Sequence, residues 1–293
     1  MPKIRYVNHR FSASSLALVA HAEKIVAEYD AQNLTLTLRQ LYYQFVARGL
    51  IPNKQSEYKR LGSVINDARL AGLIDWYSIE DRTRSLHGTA HWEKPNDIID
   101  AAANSYRIDK WSDQDIRPEV WIEKEALSGV VAGVCRELDI DYFACRGYNS
   151  QSEQWTAGQR MLRRFNATGQ RTLVLHFGDH DPSGLDMTED NTKRLEMFCG
   201  EAIELRRLAL NMDQVLKHNP PPNPAKVTDS RFEQYQAEHG DESWELDALE
   251  PNILIGLVRD NVLEVRDDAL FEARRKIEER ERAKLAKLAK EYK

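Results

Sequence analysis

The chain has 293 residues, 42% of them hydrophobic and 30% charged, with 41 Lys and Arg against 47 Asp and Glu for a net charge of −6. That balance excludes a disordered chain and suits about two folded domains, while the acidic sign argues against a protein that coats nucleic acid by bulk charge. No run approaches the roughly 18 apolar residues of a membrane span, the N-terminus lacks an apolar signal core, and Cys135, Cys145 and Cys199 have neither CxxC nor Cys/His spacing. No membrane, disulfide framework or zinc site is therefore expected, and a cytoplasmic location is.

In chain order, Leu18, Ala22, Ile25 and Tyr29 recur at helical spacing behind capping serines and predict a helix over Ser12 to Tyr29. Thr37-Leu-Arg-Gln40 is a capping-box pattern that opens a second helix, stopped by Gly49. After the tight link Leu50-Ile-Pro-Asn53, a third helix is predicted from about Ser56 to Leu70, and Leu73 to Trp76 reads as the start of a wing strand. The expectation for 1–90 is a mostly helical, winged-helix-like DNA-binding domain. Between Arg39 and Arg69, the six bases Arg39, Arg48, Lys54, Lys59, Arg60 and Arg69 face two acids, Glu57 and Asp67, leaving a local surplus of four positive charges. Such a surplus in an acidic protein fits a DNA backbone, and the last five bases after Arg39 are the candidate DNA contacts.

Pro95 and the Asp- and Asn-containing stretch around it, without a long period, mark 91–115 as a linker. Strands at Glu119 to Glu123, Tyr142 to Arg146, Thr172 to Phe177 and Ala202 to Leu208 then alternate with helices at Ala126 to Leu138, Ser152 to Phe165 and Leu185 to Phe198. Alternation at this length predicts an α/β domain over 116–212 with a mainly parallel, Rossmann-like sheet. Pro220-Pro-Pro-Asn-Pro224 breaks regular structure, and the remaining 213–293 is expected as a small helical lobe ending in the charged helix Ala269 to Lys293.

The chemistry is concentrated in three acids. Glu123 ends the first strand, and the third strand runs straight into Gly178-Asp-His-Asp-Pro-Ser-Gly184. With strand order 2-1-3-4, right-handed crossovers put the carboxyl ends of strands one and three side by side at the topological switch point. Asp179 and Asp181, two residues apart on an extended backbone, point the same way, and with Glu123 they form an oxygen donor set for Mg²⁺, or Mn²⁺. Without a cation the three would repel one another and raise their own pKa values. The blander reading makes Glu123 a solvated strand end and DxDPxG a turn that starts a helix.

Pro118-Glu-Val-Trp-Ile-Glu-Lys-Glu-Ala126, Arg146-Gly-Tyr148 and Gly178-Asp-His-Asp-Pro-Ser-Gly184 resemble the Toprim domain of the DNA topoisomerase VI A subunit, whose architecture the meiotic double-strand-break transesterases share. That family also carries a winged-helix domain ahead of its Toprim domain, and its nucleophilic tyrosine lies in a motif that Arg39-Gln-Leu-Tyr-Tyr43 resembles. The resemblance covers both expected domains in order. It implies that Glu123, Asp179 and Asp181 hold Mg²⁺ and that Tyr43, or in second place Tyr42, attacks the phosphodiester to leave a 5′-phosphotyrosyl link, with Arg39 and the metal lowering the phenol's pKa. It implies a short stand-alone relative, of a bacterial, phage or mobile-element and nucleoid-associated setting. Strand passage would need a separate ATPase subunit, since no Gly-rich phosphate loop is present here.

Read from residues alone, Tyr43 is equally a core-packing helix residue. Three functions stay open: Mg²⁺-dependent double-strand cleavage and rejoining as a homodimer, hydrolysis by a metal-dependent endonuclease, and a non-catalytic DNA-binding module. Among smaller signals, Glu245 and Asp247 are candidate additional acids or part of a surface helix, and strand alternation turns Lys124 away from Glu123 into solvent. Arg160, Arg163 and Arg164 are exposed arginines on a helix that would track DNA in the sharper reading, Arg146-Gly147 is a tight turn, and Lys284 to Lys293 is a solvated face with dimer packing as the alternative.

Overall fold

The computed structural model describes residues 3–32, 34–79 and 89–291; residues 80–88 of the expected first domain and the terminal Lys293 of the expected last helix lie outside the described residues. Helices α1 (Ala13–Asp30), α2 (Leu38–Ala47) and α3 (Gln55–Leu70) follow the expected order. Ser12 caps α1 by accepting from Ser15 N, and Thr37 and Gln40 close the capping box that starts α2, so that orphan N–H groups of the first turns are satisfied. Their apolar stripes, with Leu18, Ile25, Leu41, Phe45, Leu61 and Ile65, meet in one core. The expected wing strand at Leu73 to Trp76 does not form. Gly72 takes φ +73°, Asp75 accepts from Tyr77 N at 2.8 Å, and this region contributes isolated bridges, Arg5 to Ala71 and Leu36 to Ile79. With turn geometry on both sides, the short apolar run has no ladder to extend.

The interval 91–115, read as a linker, holds a helix, α4 (Pro95–Ser105). The residues that looked like breakers are its start: Pro95 stands in the first turn and Asp97 accepts from Lys94 N at 3.0 Å. Beyond it, β1 (Ile116–Ile122), α5 (Ser128–Leu138), β2 (Asp141–Ala144), α6 (Gln151–Thr168), β3 (Arg171–Phe177), α7 (Pro182–Cys199) and β4 (Ile203–Ala209) alternate. The fold is α/β, with a parallel sheet in the order β2-β1-β3-β4. Period-two side-chain alternation sorts its two faces. Val120, Ile122, Leu173, Leu175 and Phe177 pack with α5, whereas Trp121 and Val174 pack with Met161 of α6 and Leu195 of α7.

The chain continues through α8 (Met212–His218), β5 (Asn223–Pro224), α9 (Phe232–His239), β6 (Glu242–Ser243), α10 (Pro251–Val265) and α11 (Asp268–Glu291). Strands β5 and β6 form a two-residue antiparallel pair. Leu254, Val258 and Val262 of α10 and Phe271 of α11 join the same core as the α5 face of the sheet, so the C-terminal segment is part of the sheet's covering layer. Helix α11 runs along α4, and its buried Glu278 accepts from Lys110 Nζ at 2.8 Å and Ile108 N at 3.0 Å. One face of this charged helix is thus taken up within the chain.

Candidate active site

The sheet order delivers the expected neighbours. Glu123 follows β1 and extends its ladder, donating N–H to Phe177 O at 2.8 Å, while its Oε2 accepts from Asp179 N at 2.9 Å. Gly178 leaves the space for that contact: a Cβ there would lie 3.0 Å from Glu123 Oε2 and 3.2 Å from Arg207 Nη1. The DxD side chains then part company. Asp179 is buried, with Oδ1 accepting from Leu246 N at 2.8 Å and Oδ2 2.7 Å from Lys124 Nζ. Asp181 caps α7, accepting from Gly184 N at 2.7 Å. His180 is held the other way, bridged to Trp244 through its backbone and to Tyr235 Oη at 3.0 Å through its ring.

Two acids remote in sequence complete the cluster. Glu245 and Asp247 flank Leu246 in a 3-10 turn, Leu246–Ala248, packed against α2. Asp247 is 2% exposed and, among the described residues, neither of its carboxylate oxygens has a hydrogen-bond partner, although Oδ2 lies 3.2 Å from Lys124 Nζ and 3.3 Å from Arg39 Nε. Glu245 pairs with Arg39 at 2.6 Å and with Lys124. Both candidate acids therefore belong to the cluster, in place of the surface helix that was the alternative.

Lys124 overturns its expected place in solvent. Strand β1 ends at Ile122 and the chain turns into the 3-10 turn Glu125–Leu127, so the alternation used to orient Lys124 no longer applies at its position. Its ammonium instead sits among Asp179, Glu245 and Asp247. Burial works against its charge, yet those three carboxylates outweigh burial and hold Lys124 protonated well above its ordinary range. Arg207 on β4 was not foreseen; its one signal was a second arginine, beside Arg206, in a strand that is apolar at Ile203, Leu205, Leu208 and Ala209. Its guanidinium donates to the carbonyls of Gly184 at 2.9 Å, Asp179 at 2.7 Å and Leu210 at 3.1 Å. Burial lowers its pKa to about 10, against the pull of Glu123, Asp179 and Asp181. Burial likewise pushes Asp179 up to about 7, with Lys124 opposing and Glu123 and Glu245 adding to the rise, and it raises Glu123.

No model of a known protein family matches this chain, and no curated protein matches it.

Tyr43 is brought beside the acids by its own chain. It is 3% exposed, its hydroxyl accepts from Asn223 Nδ2 at 3.3 Å, and Arg39 lies over its ring at 5.7 Å. Arg39 pulls the phenol's pKa down as expected, but on its own it does not prevail. Burial and the negative charge of Glu245 raise the phenol, and they outweigh the opposing effects of Asn223, Arg39 and Lys124. Tyr42 turns instead to Asn53, donating to Oδ1 at 2.9 Å, and accepts from Lys54 N at 2.8 Å. Asn53 in turn donates to Pro222 O at 2.7 Å, which ties the link after α2 to the proline-rich segment.

The expected DNA contacts divide. Lys54 and Lys59 are exposed with no carboxylate partner among the described residues, and Arg60 is exposed beside Glu57 at 2.6 Å. Arg48 pairs with Glu28 at 2.7 Å. Arg69 is committed to structure, donating to Trp76 O at 2.6 Å and Ile79 O at 3.1 Å. On α6, Arg160 and Arg164 turn onto buried Glu119 of β1, whereas Arg163 is exposed.

Whether these acids suit a divalent cation is tested by their chemistry. Five acids, Glu123, Asp179, Asp181, Glu245 and Asp247, stand against three bases, Lys124, Arg39 and Arg207, a formal surplus of two negative charges. That surplus equals the charge of one divalent ion, and Asp247 offers two buried oxygens without hydrogen bonds, so the donor set fits a hard cation. Among the described residues, however, no three Asp, Glu, His or Cys groups stand at ligand spacing.

Proposed function

We propose that this chain is a divalent-metal-dependent enzyme that cleaves the DNA backbone, built as a mostly helical DNA-binding part, 1–90, without the wing strand expected at Leu73 to Trp76, ahead of a Toprim-like part, 116–212. The observation that carries the reading is the convergence of Glu123 and the Asp179–Asp181 segment at the carboxyl ends of adjacent parallel strands, with Glu245, Asp247 and the α2 residues Arg39 and Tyr43 brought against them. Glu123, Asp179 and Asp181, with Glu245 and Asp247, would hold Mg²⁺ or Mn²⁺. A cation so bound supplies neutralisation of phosphate oxygens and of the leaving 3′ oxygen. The protein's own groups do the rest. Tyr43 supplies the phenol oxygen that forms the new bond to phosphorus as the bond to the 3′ oxygen breaks, the phenolic proton leaves toward the neighbouring carboxylates, and Arg39 orients the ring. Lys54, Lys59 and Arg60 offer exposed positive charge for DNA, and Arg48, paired with Glu28, adds to it. A double-strand cut would take a homodimer, and strand passage an ATPase partner.

A second reading, hydrolysis with Tyr43 as a core residue, is favoured by its burial and raised pKa. Labelled supercoiled DNA incubated with Mg²⁺ and run on denaturing gels with and without protease separates the two. Label retained on protein in the parent and lost in Tyr43→Phe is the expected result. Free 5′-phosphate ends made equally by parent and Tyr43→Phe mean hydrolysis. No product from the parent with Mg²⁺ or Mn²⁺ leaves a DNA-binding module and refutes the enzymatic reading; in either active case Asp179→Ala is inactive.

A further inference from the structure

The carboxylate cluster already carries a cation of its own. The Lys124 ammonium lies 2.7 Å from Asp179 Oδ2 and 3.2 Å from Asp247 Oδ2, and it also binds Glu245 Oε2. Only 21% of the side chain is exposed, and it comes from the residue next to Glu123. An ammonium among three carboxylates meets the same electrostatic demand as a metal ion, since each stands as a compact positive charge among acids that Arg39 reaches only at Glu245 and Asp247. The two cannot share these oxygens. A small divalent ion needs them at roughly 2.0 to 2.6 Å, which would set a double and a single positive charge about as close together as the present ion pairs.

Building on the metal-dependent reading above, we infer that Lys124 is an internal competitor for the divalent-ion site: its ammonium occupies the cluster until a cation takes the carboxylates, and is then driven out toward the mouth of the site. Three features agree with this assignment. Lys124 engages Asp179, Glu245 and Asp247, but Glu123 and Asp181 have other partners, Asp179 N and Gly184 N, so the acids are divided between the lysine and the backbone. Asp247 remains without a hydrogen bond even with the ammonium present, so one lysine does not satisfy the oxygens. The four-carbon stem also lets the ammonium leave without moving β1. Once released, the ammonium is a positive charge beside the place where a scissile phosphate would lie, so phosphate and metal binding reinforce each other.

Free Mn²⁺, read by electron paramagnetic resonance, tests this without reference to activity. Lys124→Met should bind Mn²⁺ at least about tenfold more tightly than the parent, which is about 1.4 kcal/mol. Lys124→Arg should restore weak binding, and Lys54→Met, which removes an equal charge away from the cluster, should bind like the parent. Because Lys124→Met leaves buried acids unpaired and can fail to fold, the parent is tested alongside by reductive methylation and mass spectrometry. Labelling of Lys124 should rise when Mg²⁺ is added, with Lys59 as an exposed control. Equal Mn²⁺ affinity in the parent and Lys124→Met, or Lys124 labelling that stays the same or falls with Mg²⁺, overturns the competitor role and leaves the metal reading standing. No Mn²⁺ binding by either protein at millimolar concentrations overturns the metal reading and this inference together.

Discussion

At the residue scale, the cluster is shaped by atoms that leave no room for alternatives. A Cβ at Gly184 would overlap the Asp179 backbone, with the carbonyl carbon at 3.0 Å, because the first turn of α7 closes directly over the residue before His180. Gly184→Ala is therefore expected to cost about 1 to 3 kcal/mol, the range for overpacking a filled site, seen as a lower urea midpoint with an unchanged slope. Asp179 makes a second prediction. Burial raises it from 3.8 to about 7, so its contribution to stability is fully present below the ordinary value and is lost as pH rises through about 7. Lys124 opposes the rise and Glu123 and Glu245 reinforce it. Melting temperature should fall as pH passes upward through that value in the parent, and Asp179→Asn should flatten the fall; an undiminished slope in the variant would assign the titration elsewhere.

At the element scale, close helix contacts and buried ion pairs decide what the periodic pattern left open. Helices α6 and α7 approach so closely at Gly158 that a Cβ there would lie 2.6 Å from Phe198 Cβ. Gly158→Ala should again cost about 1 to 3 kcal/mol, although alanine is the better helix former by propensity. Helix α11 is anchored by Glu278, which is 4% exposed and receives Lys110 and Arg282. Burial alone would raise its pKa, but Lys110, Ile108 N and Arg282 lower it below the ordinary carboxylate range. Glu278→Ala strands buried Lys110 with its longer partner Asp139 at 3.3 Å and is expected to cost roughly 3 kcal/mol, measured by thermal melting. An unchanged melting temperature would mean that α11 is held by apolar contacts alone.

At the scale of the whole molecule, two buried histidines set the acid limit. Burial, together with the charge of Arg207, lowers His176 from 6.5 to about 3; burial, His239 and Arg207 lower His180 to about 4. A depressed histidine contributes stability that is complete above the ordinary value and is lost as pH falls through the interval toward its folded value. The folded state should therefore weaken as pH drops from about 6.5 toward 3, and His176→Gln should make the acid branch of the melting-temperature profile shallower. This branch and the Asp179 effect oppose each other, so their variants distinguish them by sign.

Element order, the parallel sheet and its β2-β1-β3-β4 order were legible in the sequence, because periodicity, caps and the right-handed crossover act over a turn of helix or a single crossover. The same rules put Glu123, Asp179 and Asp181 at strand ends. They misread 91–115, where a proline that starts a helix looks like one that breaks it, and Leu73 to Trp76, where an apolar run had no strand to pair with. Tertiary structure alone decided what surrounds the acids. Lys124 and Glu245 are 121 residues apart, and Tyr43 and Asn223 are 180 apart. No local pattern reaches across such distances. Whether Lys124 turns to solvent or into the cluster depends on which distant carboxylates the folded chain sets around it, and that is settled by packing and charge rather than by the spacing of neighbouring residues.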